Sequence, residues 1–186
     1  YRTQSTSWYN EALNTATRGS RKEFPAVAVL VLEGGKLTIY DGDDPDLPMW
    51  MVFNTTSSIG SWLGRTLSTR TSIFMINGEF CVGGSFSGAH FEALVQINFI
   101  KETALQTDNN NRIGFNGGIN DRNSINSYYS DPSTSSPVNI ASVNDVAMTV
   151  LPNAPVDSAT GLPIPTIAVA TDGGLSIIKD DGTVVN

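Results

Sequence analysis

The feature that most constrains this chain is an internal repeat. Phe24-Pro25-Ala26-Val27-Ala28-Val29, then Gly34-Gly35, then Leu37-Thr38-Ile39-Tyr40-Asp41-Gly42 form the first copy. The second is Ile164-Pro165-Thr166-Ile167-Ala168-Val169, Gly173-Gly174 and Leu175-Ser176-Ile177-Ile178, closing on Lys179-Asp180-Asp181-Gly182. Pro25 and Pro165 lie 140 residues apart. Two apolar runs around a glycine pair are the pattern of a β-hairpin. A weaker middle copy places Phe80-Cys81-Val82-Gly83-Gly84 in the first strand and residues 95–102 in the second. Residues 72–76 and 145–150 match as strands that precede the middle and last copies.

A repeated unit buries its apolar face against its neighbours. Up to four antiparallel strands per unit is the pattern of a propeller blade. We therefore expect an all-β fold of propeller-like blades with a short N-terminal helix. A β-sandwich, with the two hairpins alike by coincidence, is the alternative. The expected division is a lead-in over 1–23 and blades over about 24–70, 71–141 and 142–186. The first unit lacks an obvious leading strand, and the last reaches Thr183-Val184-Val185 where its fourth strand should begin. Three blades cannot close a ring, so a longer parent chain or an oligomer is expected.

The strand runs are 26–32, 37–40, 49–54, 72–77, 80–83, 94–100, 112–115, 145–151, 166–171 and 175–179, separated by turn residues. Residues 33–36, 76–79 and 171–174 read as hairpin turns that need positive φ. Residues 124–137 read as an exposed loop, and the proline-rich stretch 152–165 as a stiff, extended crossing. The helix is expected over Trp8 to Arg18, with Ser7 as N-cap and Gly19 past its end.

Charge narrows the partners. Eleven Lys and Arg against eighteen Asp and Glu give a formal charge of −7. Phosphate recognition needs clustered cations. The one cluster, Arg18, Arg21 and Lys22, is interrupted by Glu23. Nucleic acid and anionic membranes are therefore not the expected partners, and the longest apolar run, 26–32, is far too short to span a bilayer. The single cysteine, Cys81, reads as a small buried hydrophobe; the one histidine, His90, supplies no base pattern to activate it.

Asp41, Asp43, Asp44 and Asp46 alternate along a turn with Gly42 and could offer oxygen ligands to Ca²⁺. An EF-hand is excluded, since no Glu follows at the required spacing. A solvated acidic turn is the other reading. No other cofactor is suggested. Tyr128, Tyr129 and Trp62 are the candidate contacts for a glycan or protein partner, since aromatic faces offer large contact area at low entropic cost. Trp50, inside an alternating strand, reads as core. Glu79, Glu92, Asp121 and Asp145 can be enumerated as carboxylates for glycoside cleavage, which needs two of them across a cleft.

The segments 8–13, 21–29, 38–45, 47–53, 143–155 and 178–185 resemble tail-associated, propeller-containing structural proteins of marine tailed bacteriophages. The resemblance covers both ends of the chain and little of 54–141. It implies a virion tail component with a role in host attachment and carries no catalytic residues. The expected function is a structural or adhesive part of a phage tail, homo-oligomeric, engaging other virion proteins and a host-surface glycan. The alternatives are a glycan-cleaving tailspike-type enzyme and a free propeller lectin.

Overall fold

The structure, a computed structural model, describes residues 3–55, 61–64, 69–85, 94–107, 112–124, 128–130, 138 and 142–186. It is all-β, with three antiparallel sheets in which each strand pairs with its neighbours in sequence. The first sheet holds β1 (Ala28–Glu33), β2 (Lys36–Asp41) and β3 (Met49–Asn54). The middle sheet holds β4 (Thr69–Ile76), β5 (Glu79–Ser85), β6 (Leu94–Asn98), β7 (Thr103–Thr107), β8 (Arg112–Phe115) and β9 (Tyr128–Ser130). The last holds β10 (Val143–Thr149), β11 (Thr166–Thr171), β12 (Gly174–Ile178) and β13 (Val184–Val185).

The repeat is realised as hairpins. β1 and β2 turn through Gly34 (φ 49°) and Gly35 (φ 80°), and Asn77 (φ 53°) and Gly78 (φ 74°) do the same between β4 and β5. Gly174 (φ 130°) carries the positive φ in the last copy. As expected, among the described residues the first sheet has no leading strand, and β13 starts within Thr183-Val184-Val185. The middle sheet exceeds expectation by two strands. β7, Thr-Ala-Leu-Gln-Thr, has too little apolar alternation to announce itself, and β9 falls within the stretch read as a loop.

The middle sheet is clad on both faces. Along β5, Phe80 and Val82 join Val95, Ile97 and Phe99 in a core shared with Leu37, Ile39, Trp50, Met51 and Phe53 of the first sheet. Cys81, from the opposite face of β5, joins Leu94 in a second core with Val146, Met148, Ile167 and Val169 of the last sheet. Alternate strand residues point to opposite faces, so one strand serves two cores. The first core is aromatic: ring centroids of Phe24 and Trp50 lie 5.0 Å apart, Phe24 and Phe99 5.1 Å, and Phe53 and Phe80 5.4 Å, in edge-on arrangements. Trp50 enters it through a register slip. Ile39 pairs with Met51 while Tyr40 pairs with Met49, which leaves Trp50 as the extra residue of a bulge.

The helix expected over Trp8 to Arg18 does not form. One 3-10 turn, Trp8–Asn10, takes its place. Asn14 is left-handed (φ 57°), and the chain then runs along the open edge of β3, with Val52 N donating to Thr17 O and Gly19 N to Trp50 O. Asn10, Asn14, Thr15 and Thr17 are weak helix formers, and pairing satisfies the β3 edge instead. Gly19 is required there, since a Cβ would lie 1.8 Å from Met49 O. The proline-rich crossing is also not extended. Asp157 N donates to Leu162 O and Ile164 N to Pro155 O, folding the segment back on itself.

Candidate functional site

The acidic turn after β2 is a clamp rather than an open ligand cage. Arg21 Nη1 lies 2.8 Å and 2.9 Å from the two oxygens of Asp41 and 2.8 Å from Asp43 Oδ2. The Asp43 carboxylate also accepts from Ala26 N and Val27 N, each at 2.9 Å. These two backbone bonds, ahead of Arg21, hold the Asp43 carboxyl below its ordinary range, and Asp41 above all raises the Arg21 guanidinium. Asp44 Oδ1 accepts from Asp46 N in a local turn. Arg21 thus stands where a cation was expected, and the four carboxylates do not converge. Among the described residues no group of three or more His, Cys, Asp or Glu side chains is placed to hold a metal ion.

The aromatic candidates separate. Trp62 is fully buried in the first core and is not a surface contact. Its neighbour Leu63 is buried too, and Gln106 Nε2 donates to Ser61 O at 2.9 Å, fixing the segment inside. Its spacing from other apolar residues gave no sign of this. Tyr128 and Tyr129 are about half exposed on β9, the outermost strand of the middle sheet. Tyr129 lies across Gly114, where an added Cβ would come within 2.4 Å of its ring. Gly114 therefore seats the tyrosine against the sheet while one side stays open to solvent.

Of the carboxylates, Glu79 starts β5 and lines a shallow groove with Gln96, Asn98, Lys101, Thr103 and Arg112. Burial is the main cause that pushes its carboxyl above the ordinary range. The same burial, with Glu79 nearby, raises the Cys81 thiol well above normal and keeps it an inert core side chain. Asp121 sits in a 3-10 turn and Asp145 accepts from Ser72 Oγ, each apart from the groove. Glu92 and His90 lie outside the described residues.

Composition and spacing did not reveal the strongest polar cluster. Arg122, buried, donates to Glu11 Oε2 (2.8 Å), Glu11 Oε1 (3.1 Å), Val52 O (2.7 Å), Thr17 O (2.7 Å) and Ile119 O (3.1 Å). Its guanidinium lies 5.4 Å from the Phe53 ring. Arg18 is buried as well, 4.8 Å from the Trp50 ring, and desolvation lowers its pKa to about 10. It stays charged at neutral pH. Of the basic cluster in the sequence, Arg18 is spent in the core and Arg21 on the acidic turn.

The chemistry gathered here is cohesive: buried guanidiniums tying segments together, and an aromatic pair on an outer strand. Comparison with protein-family models, curated proteins and solved structures finds no match for this chain.

Proposed function

We propose that this chain is a structural and adhesive component of a phage tail, engaging other virion proteins and, through Tyr128 and Tyr129, a host-surface glycan. The observation that carries this reading is how the side chains are spent. Arg122 with Glu11, and Arg21 with Asp41 and Asp43, join segments of the chain, while the accessible surface offers apolar stripes and an aromatic pair suited to contact. The resemblance of the two ends of the chain to phage tail proteins points the same way. The protein works without catalysis or cofactor.

Incubation with host-surface polysaccharide tests it. No new reducing ends are expected, and robust release overturns the reading in favour of a tailspike-type enzyme. The protein should also co-purify with virions; recovery only in the virion-free fraction identifies a free lectin instead.

A further inference from the structure

We propose that two copies of this chain associate head to tail, the stripe Val27, Val29 and Val31 of one copy lying on the Ala147, Ala168 and Ala170 face of the other. The inference rests on the fold and is independent of the virion assignment.

The two equivalent hairpins show different faces to the middle sheet. First strands match at an offset of 140 and second strands at 138. The two offsets differ by two, an even number, so residues that share a face in one hairpin have equivalents that share a face in the other. In the last sheet the face carrying Ile167 and Val169 packs on the middle sheet. In the first sheet it is the other face, carrying Ala28, Leu30, Leu32, Leu37 and Ile39. The two outer sheets thus present opposite faces of the same unit to opposite faces of the middle one. The stacking is directional, like coins all heads up, and differs from a sandwich that closes on itself.

A directional stack ends in two unlike faces. At one end the stripe Val27, Val29 and Val31 is 57%, 39% and 36% exposed, although its equivalents Ile167 and Val169 are 3% and 0% exposed; Thr38 and Val52, in the row of Val31, are already covered within the chain. At the other end Leu175, equivalent to the buried Leu37, is 56% exposed, and Val185 is 50% exposed. Pairing along the ladder sets Ala147, Ala168, Ile177 and Val185 in one row, with Ala170 beside Leu175 in the next. The alanines make a low floor between taller side chains, and the valine stripe is a ridge that fits it. Joining the two ends sets against each other the same two kinds of face that the outer sheets turn toward the middle one. Among the described residues each copy holds three sheets; a pair of such stacks holds six, within the four to eight blades of known rings, and forms the contact twice. Apolar stripes this exposed mark association surfaces.

Sedimentation equilibrium of residues 1–186 at tens of micromolar tests the proposal. A dimer is expected, strengthened by added salt because each copy carries a net charge of −7. Val29→Glu and Ala168→Glu should each weaken it at least tenfold while the circular dichroism melt stays cooperative. Leu175→Glu, at a side chain already exposed, replaces Ala168→Glu if that variant fails to fold. Mixing the two weakened variants should give a heterodimer tighter than either homodimer, since one of its two contacts then carries neither substitution. A monomeric wild type overturns the proposal. So does a dimer that tolerates Ala168→Glu and Leu175→Glu, because the valine stripe would then be pairing with itself.

Discussion

The two faces of the middle sheet are held by different materials. Against the first sheet the packing is aromatic, and the lead-in chain is tied over it by buried charge: Arg122 to Glu11, Arg18 over Trp50, and Trp8 Nε1 donating to Phe99 O at 2.9 Å. Against the last sheet the packing is aliphatic. Its polar ties lie nearer the surface: Thr71 Oγ1 to Val143 O at 2.6 Å, Ser72 Oγ to Asp145, Asn77 Nδ2 to Pro163 O at 2.8 Å, and the Lys101–Asp157 ion pair. Aromatic side chains bury more area, and a buried ion pair cannot be loosened at one end without leaving a charge uncompensated. The last sheet should therefore open first, and its amides should exchange with solvent before those of β2 and β3.

Breaking the stronger side has the largest expected effect. Arg122→Ala strands the Glu11 carboxylate and three carbonyl oxygens together, and should cost about 3–5 kcal/mol in urea unfolding. Arg21→Ala, at the more exposed acidic turn, should cost about 1 kcal/mol or less. Equal losses would refute the contrast between buried and surface clamps.

The cores come next. Phe99→Ala should cost about 3–5 kcal/mol, because Phe99 meets Phe24, Trp50, Phe53 and Phe80 edge-on or tilted. Ile167→Val, on the aliphatic side, should cost about 0.5–1.5 kcal/mol. Thermal melts of the two variants check the ranking, and hydrogen exchange should confine the Ile167→Val effect to β10 and β11.

The turns give a finer comparison. Gly35 and Gly174 both hold positive φ, so valine at either should cost about 1–3 kcal/mol in backbone strain. Gly35→Val should be the worse, since a Cβ there would lie 2.6 Å from Thr55 Oγ1, whereas nothing lies within 4 Å at Gly174. A larger melting shift for Gly174→Val would count against this ordering.

These contrasts also mark what was legible in the sequence. The hairpins were, because glycine pairs and alternating apolar runs are local signals. So, among the described residues, was the missing leading strand of the first sheet. The lead-in was misread because helix propensity weighs only local preference. Ala12, Leu13 and Ala16 suggested a helix, but an open β3 edge far along the chain offered a better arrangement for Thr17 and Gly19. The acidic turn showed its carboxylates and hid their partner, since Arg21 lies twenty residues from Asp41 and only folding brings them together. Trp62 was taken for a surface residue because nothing near it in sequence reveals the middle sheet that covers it. Ion pairs such as Arg122 with Glu11, 111 residues apart, leave no local pattern at all.

The smallest expected effect lies on the weaker side and depends on pH. Glu79 shares its β5 face with Cys81, on the side covered by the last sheet, and burial raises its carboxyl above the ordinary range. The folded protein therefore holds this proton to a higher pH than the unfolded chain does. Stability from this group is fully present below the ordinary carboxylate range and is lost as pH rises through the raised folded value. Glu79→Gln removes the titration and keeps a polar side chain beside Asn98 and Gln96. The variant and wild type should melt alike in acid, and the variant should gain on the wild type as the pH approaches neutrality. Because Lys101 draws the charged carboxylate the other way, the gain should be modest. A variant that loses ground with rising pH would mean that the ionised Glu79 stabilises the fold through Lys101. The polar groove would then be a second charge clamp, and the two faces of the middle sheet would differ less than their cores suggest.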